Sequence, residues 1–277
     1  MSGPREVMRP AERPSLRAVD LARVASRALY LQASFTTERM QGPGFAFSIL
    51  PALRRLFGPG TRIAALRRHL GFFNTHPVLA GLVLGAVARL EERRARGEDV
   101  TEERVEAVKH GLASPLAALG DPLFWVTLRP LAGLLGVVAV GVIPGPDALG
   151  TDWRVLLCPL VVLLAYNAVA LPFRVTGVAR GYARAEEPLE LVRSLRLREW
   201  RATLERIGAF VCGALVVLTV IGVRESIGRV SGGGVAHLLL LLLGAAAASA
   251  VLARFPGRLV EAALVALLLT ALLAIPL

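Results

Sequence analysis

Long uncharged apolar runs alternate with arginine-rich blocks along this chain, and that alternation restricts its fold more than any other feature. The runs are Pro130 to Pro146 (extending backwards across Arg129 to Leu116), Val155 to Phe173, Ile207 to Val223, Val230 to Ala253, and Ala262 to Leu277, reached from Leu259 across Glu261. A helix needs about 20 residues to cross the hydrocarbon core, so these runs with their flanks predict about five transmembrane helices in the C-terminal half. Composition agrees: 55% of residues are apolar, 19% are charged and the mean hydropathy is +0.58. A soluble domain averages roughly 45–50% and 25%. Disorder, a disulfide scaffold and an ordinary soluble enzyme are excluded. The net charge of +11 on its own invites a nucleic-acid or membrane-surface reading, but its confinement to blocks between apolar runs makes it a topological signal.

Two earlier apolar stretches do not read as simple spans. Met40 to Leu53 is short and contains Gly42, Pro43, Gly44 and Pro51; Gly71 to Ala88 is longer but opens on Asn74, Thr75, His76 and Pro77. Basic residues surround both: the N-terminal arginines, then Arg54, Arg55, Arg62, Arg67 and Arg68, then Arg89 to Lys109. Re-entrant or interfacial hairpins keep all three basic segments on the cytosolic side, as the positive-inside rule favours. The loop Pro144 to Trp153 lacks basic residues up to its end and is expected outside; Arg174 to Arg206 is expected as a cytosolic surface helix; Arg224 to Gly234 is expected outside despite Arg224 and Arg229. Glu91 to Lys109 reads as a second solvated charged face, broken at Gly97, with Thr101 a candidate cap for the helix that follows. The N-terminus is charged, with no apolar stretch behind it, so no cleavable signal peptide is expected. Cys158 and Cys212 sit in apolar runs and read as small buried hydrophobes.

Polar residues inside apolar segments mark functional positions in a membrane protein. Three clusters qualify. Tyr30 to Phe45 holds Gln32, Glu38, Arg39 and Gln41, which periodicity reads as an amphipathic interfacial helix. His69 to Pro77 places Asn74 and Thr75 behind two phenylalanines. An aromatic ring covers the apolar face of a neutral sugar while an amide donates to and accepts from its hydroxyls; Asn74 equally suits a cap for a helix opening near Pro77. His76 reads as a structural hydrogen-bonder rather than a proton carrier. Gly111 to Pro130 contains Gly120, Asp121 and Pro122, expected to break the helix, with Asp121 capping the half that follows, paired, or facing a wet cavity. There is no GxxxxGK[ST] loop, no GxGxxG after a strand, and no histidine or cysteine spacing suited to a metal, so neither metal nor cofactor is expected. The GxxxG pairs Gly81–Gly85 and Gly141–Gly145 indicate close helix packing at most.

Taken in order, these clusters resemble the IID membrane subunit of the mannose/fructose/sorbose-type sugar phosphotransferase system. The resemblance rests on LQASFTTERMQGPGF (Leu31 to Phe45), PALRRLF (Pro51 to Phe57), RRHLGFFNTHP (Arg67 to Pro77), Leu90-Glu91-Glu92, and VKHGLASPLAALGDPLFWVTLRP (Val108 to Pro130), with a fainter echo at Arg174, Gly177, Gly181 and Tyr182. Phe35, Thr36, Gly71, Ser114, Ala118 and Val126 depart from the family pattern. The resemblance implies a multi-pass subunit of the bacterial inner membrane with a cytosolic N-terminus. It implies a non-catalytic chain paired with a IIC subunit, a trimer of such pairs, and IIA and IIB proteins that phosphorylate the transported sugar. A IID-like subunit retained for regulation or assembly is the alternative. By the same analogy Phe73, Asn74, Thr75 and Asp121 line the sugar cavity, joined by Gln32 and Glu38. The expected architecture is all-α: a basic cytosolic segment over 1–28, a core with hairpins and a broken helix over 29–130, and a transmembrane region over 131–277 enclosing the cytosolic loop 174–206.

Overall fold

A computed structural model describes residues 14–142 and 156–227. Among the described residues every regular element is helical, and the β pairing is limited to isolated bridges that Met40 makes with Thr36 and Phe73. The runs Val230 to Ala253 and Ala262 to Leu277, and the loop Pro144 to Trp153, lie outside the described residues. Among the described residues two helical stretches are long and apolar enough to cross a membrane, Glu102–Val140 and Leu157–Ala183. The third apolar run falls inside a longer helix, Leu197–Ile227.

The chain divides into two compact units. Among the described residues, one comprises 14–120 with 170–196, the other 121–142, 156–169 and 197–227. In the first, α1 (Ala18–Ala28) packs on α2 (Gly42–Leu56), which packs on α3 (Pro59–His69) and α4 (Ala80–Ala95). Pro43 stands in the first turn of α2 and Pro59 opens α3, positions where the missing proline N–H would be unpaired in any case. At about 1.5 Å per residue α2 is ~22 Å long, short of the ~30 Å hydrocarbon core. Gly97, at φ +75°, ends the turn after α4. Helix α5 (Glu102–Asp121) then starts on Thr101, whose hydroxyl accepts the Arg104 N–H at 3.2 Å as a cap should.

The later part of α7 (Leu157–Ala183) crosses α4 in backbone contact. A Cβ on Gly181 would stand 1.9 Å from the Leu82 carbonyl oxygen, and one on Gly85 2.0 Å from that of Val178. The pair Gly81–Gly85 thus meets Gly177–Gly181, the small-residue crossing that membrane helices use. A polar knot locks it: the buried Glu92 carboxylate accepts from Arg89 at 2.9 Å, Arg96 at 2.7 Å, the Leu16 N–H at 2.9 Å, and the Tyr182 hydroxyl. The unit closes with α8 (Pro188–Ser194).

The expected surface helix over Arg174 to Arg206 is therefore three pieces. Arg174 to Ala183 completes α7, Pro188 starts α8, and Arg196 at φ +50° turns the chain into α9 (Leu197–Ile227). Nor do Glu91, Glu92 and Lys109 form a solvated face; all three are fully buried. Mixed charge was a poor guide here because each buried group has opposite charges to pair with.

In the second unit a π-helical stretch, Pro122–Leu128, leads into α6 (Arg129–Val142), and α9 packs on both. The expected break at Gly120-Asp121-Pro122 does not occur. Asp121 has helical angles (φ −58°, ψ −48°) and makes no capping bond. The wider ring absorbs the proline: the Arg129 N–H reaches back to the Phe124 carbonyl, and the Thr127 hydroxyl donates to the Pro122 carbonyl at 2.9 Å. On the first part of α7, Leu160, Leu163 and Leu164 are exposed, an apolar surface suited to lipid. Cys158 is half-buried and Cys212 buried.

Candidate functional site

The segment Phe72 to Thr75 runs extended between α3 and α4, and its side chains alternate as an extended chain requires. Phe72 and Asn74 are exposed, whereas Phe73 and Thr75 are buried. Phe73 packs against Phe45 of α2, with ring centroids 4.5 Å apart and the rings tilted by 54°. The Thr75 hydroxyl donates to the Ala113 carbonyl of α5 at 2.9 Å.

Gln41, the residue before α2, holds this segment from the other side. Its backbone N–H donates to the Phe73 carbonyl at 2.8 Å. Its side-chain amide donates to the Thr75 carbonyl at 2.8 Å and accepts the Thr75 N–H at 3.1 Å. All three bonds flank Asn74 without touching it. Met40 delivers Gln41 from φ +50°, a left-handed conformation that costs about 1 kcal/mol for a non-glycine residue. Reciprocal backbone bonds between Met40 and Thr36, 2.8 and 3.1 Å, hold it there. The three sequence clusters, through Gln41, Thr75 and Ala113, meet at this loop.

A buried charged layer also supports the loop. His69, the last residue of α3, lies 3.0 Å from a Glu91 oxygen, and Arg68 pairs with the same carboxylate at 3.1 Å and with Glu102 at 3.0 Å. Burial pushes the His69 pKa below its ordinary value, an effect the Glu91 hydrogen bond opposes and does not cancel. Burial tends to raise the Glu91 pKa, but its contacts with His69 and Arg68 outweigh that and hold it below the usual carboxylate range. The neutral ring therefore donates Nε2–H to Glu91. Its Nδ1 is buried with no hydrogen-bond partner among the described residues, so a second ring proton would have no acceptor. Lys109, the single lysine, sits 3.4 Å from Glu106 with its ammonium 5.1 Å from the Phe45 ring centre.

Asn74 does not cap a helix. Helix α4 begins only at Ala80, with Leu79 at its N-cap and no side-chain cap. His76 shapes the approach instead, its Nδ1 accepting the Val78 N–H at 3.3 Å. Gln32 and Glu38 are exposed in the turns before Met40, not on an interfacial helix, and Asp121 is exposed in the second unit. Gln41 and Phe72 were not distinguished by sequence. Gln41 is buried whereas Asn74 is exposed, a difference that only the fold reveals.

The sequence profile of the PTS system mannose/fructose/sorbose family IID component matches residues 15–235. The chain belongs to this IID family. Among its relatives, the PTS system mannose-specific EIID component of Escherichia coli K12 is 38% identical over 199 residues, covering 71% of this chain and 66% of the relative. The fructose permease IID component of Bacillus subtilis is 35% identical over 191 residues, covering 69% and 66%. The sorbose-specific EIID component of Klebsiella pneumoniae is 35% identical over 198 residues, covering 71% and 68%. The matched region thus spans about two thirds of the length of these curated IID relatives. A cryo-electron microscopy structure of the mannose transporter ManYZ in complex with microcin E492 matches with a TM-score of 0.56 and 38% identity, covering 73% of this chain and 71% of that one.

Proposed function

We propose that this IID chain is the membrane subunit of a mannose-family PTS permease, pairing with a IIC subunit to bind and translocate a sugar that IIA and IIB partners phosphorylate. Membership of the IID family over residues 15–235 is the observation that carries this reading. A purely regulatory or assembly role gains no support from relatives named for mannose, fructose and sorbose. The working assembly is a trimer of IIC–IID pairs in the bacterial inner membrane, in contact with anionic lipid. The N-terminus is cytosolic, about five helices span the bilayer in the C-terminal half, and the two N-terminal apolar stretches form re-entrant or interfacial hairpins. The chain itself is non-catalytic and needs no cofactor.

At the sugar, Asn74 donates to and accepts from ring hydroxyls. Its exposure, with neighbouring backbone fixed on both sides, suits a preorganised contact. Phe73 and Thr75 shape the loop from beneath, and Phe72 offers an exposed aromatic face beside the amide. Gln32 and Glu38 contribute further polar contacts, and Asp121, exposed in the second unit, is by the family resemblance a sugar-cavity residue in its own right. The domain scheme (1–28, 29–130 and 131–277) assigns the sugar-binding role to the middle segment. The test is co-expression with the cognate IIC followed by sugar uptake into cells carrying IIA and IIB. Co-purification and accumulation of phosphorylated sugar are expected; a IID chain that fails to co-purify with IIC overturns the proposal.

A further inference from the structure

We infer that Gln41 is a positioning residue for sugar binding, acting on the substrate through Asn74. This rests on the reading of Asn74 as a sugar contact. Gln41 is 2% exposed, so it cannot itself meet a ligand in this conformation. Its three hydrogen bonds end on Phe73 and Thr75, the two neighbours of Asn74. That arrangement fixes the backbone on both sides of one exposed amide, which sets where the amide can point. A glutamine suits this position because the Thr75 segment presents an N–H and a C=O together, and its primary amide answers both at once. The left-handed Met40 marks the same purpose: local strain is accepted immediately before the residue that makes the clamp.

Gln41→Glu keeps the shape but replaces the donating NH2 with an oxygen facing the Thr75 carbonyl. Gln41→Met removes both side-chain bonds at similar volume. Each variant, alone and combined with Asn74→Ala, is purified as the complex with IIC, and equilibrium binding is measured with mannose, fructose and sorbose as probes. Thermal unfolding is recorded on the same samples. Each Gln41 substitution should raise the dissociation constant roughly ten-fold, the scale of one lost hydrogen bond acting on the ligand contact. In the Asn74→Ala background the same substitutions should change affinity by less than about two-fold, because the residue through which Gln41 acts is already gone. Additive losses in the double variants overturn the inference, since a general folding role acts whether or not Asn74 is present. Failure of both Gln41 variants to co-purify with IIC overturns it too, in favour of a folding role. If Asn74→Ala alone leaves affinity unchanged, the sugar reading of Asn74 falls and this inference with it. Binding of none of the three probes by the parent complex has the same consequence.

Discussion

A single methyl group added at two glycines of the first unit should act in opposite directions. At Gly181 the new Cβ would lie 1.9 Å from the Leu82 carbonyl oxygen, 2.7 Å from its carbon and 2.9 Å from its Cα. Ordinary contact begins at 3.4 Å, so α4 and α7 must part by about 1.5 Å at that point. The obstacle is backbone, with no flexible side chain to swing aside. Overpacking costs typically ~1–3 kcal/mol, and a backbone clash belongs at the upper end. The next residue, Tyr182, donates to the buried Glu92 carboxylate, so separating the helices also loosens that knot. Gly181→Ala is therefore expected to destabilise by about 3 kcal/mol or more. Gly111, on α5, has nothing within 4 Å of its ideal Cβ, and alanine there should stabilise by about 0.5–1 kcal/mol through helix propensity. Thermal unfolding of the detergent-purified IIC complex, followed by loss of the monodisperse chromatographic peak, reads both. A Gly181→Ala protein melting with the parent would refute the crossing described here.

Three further outcomes follow from the site. His69 and Glu91 both have lowered pKa values in the folded chain, so the unfolded state binds protons first as pH falls. Their contribution is complete above the ordinary histidine pKa of 6.5, and is lost below it, with Glu91 adding a further loss below 4.5. The melting temperature should fall as the pH drops from about 6.5 to 5, with a shallower slope in His69→Gln; equal slopes would contradict the buried neutral imidazole. Asn74→Ala should weaken sugar binding roughly ten-fold with assembly intact, read by titration of the purified complex. Phe72→Ala should weaken it as well without lowering the melting temperature, whereas Phe73→Ala, which empties a core site against Phe45, should lower the melting temperature by the equivalent of about 3–5 kcal/mol.

How much of this was legible beforehand divides along physical lines. Hydropathy located the apolar helix after Leu116 and the one over Val155 to Phe173, because burial in lipid demands an uninterrupted apolar run. The Thr101 cap and the break at Gly97 followed from local backbone chemistry. The Gly81–Gly85 pair signalled close packing, but its counterpart at Gly177–Gly181 was visible only as part of a family echo. Local rules failed at Asp121-Pro122, where a π-helical turn absorbed a proline that normally ends a helix. They failed again at Glu91, Glu92 and Lys109, because a charge alone does not say whether a partner arrives from a distant segment. Gln41 belongs with these: its role is set by Thr75, 34 positions away, and no local pattern carries it.

Sugar binding by the co-purified IIC–IID complex, set beside that of each subunit alone, tests whether this chain helps form a sugar site. Saturable binding of mannose, fructose or sorbose by the complex is expected, with no binding by this chain in isolation and weakened binding when Asn74 is replaced by alanine. A complex that assembles yet binds none of these sugars, or binds them equally well with alanine at position 74, would contradict it.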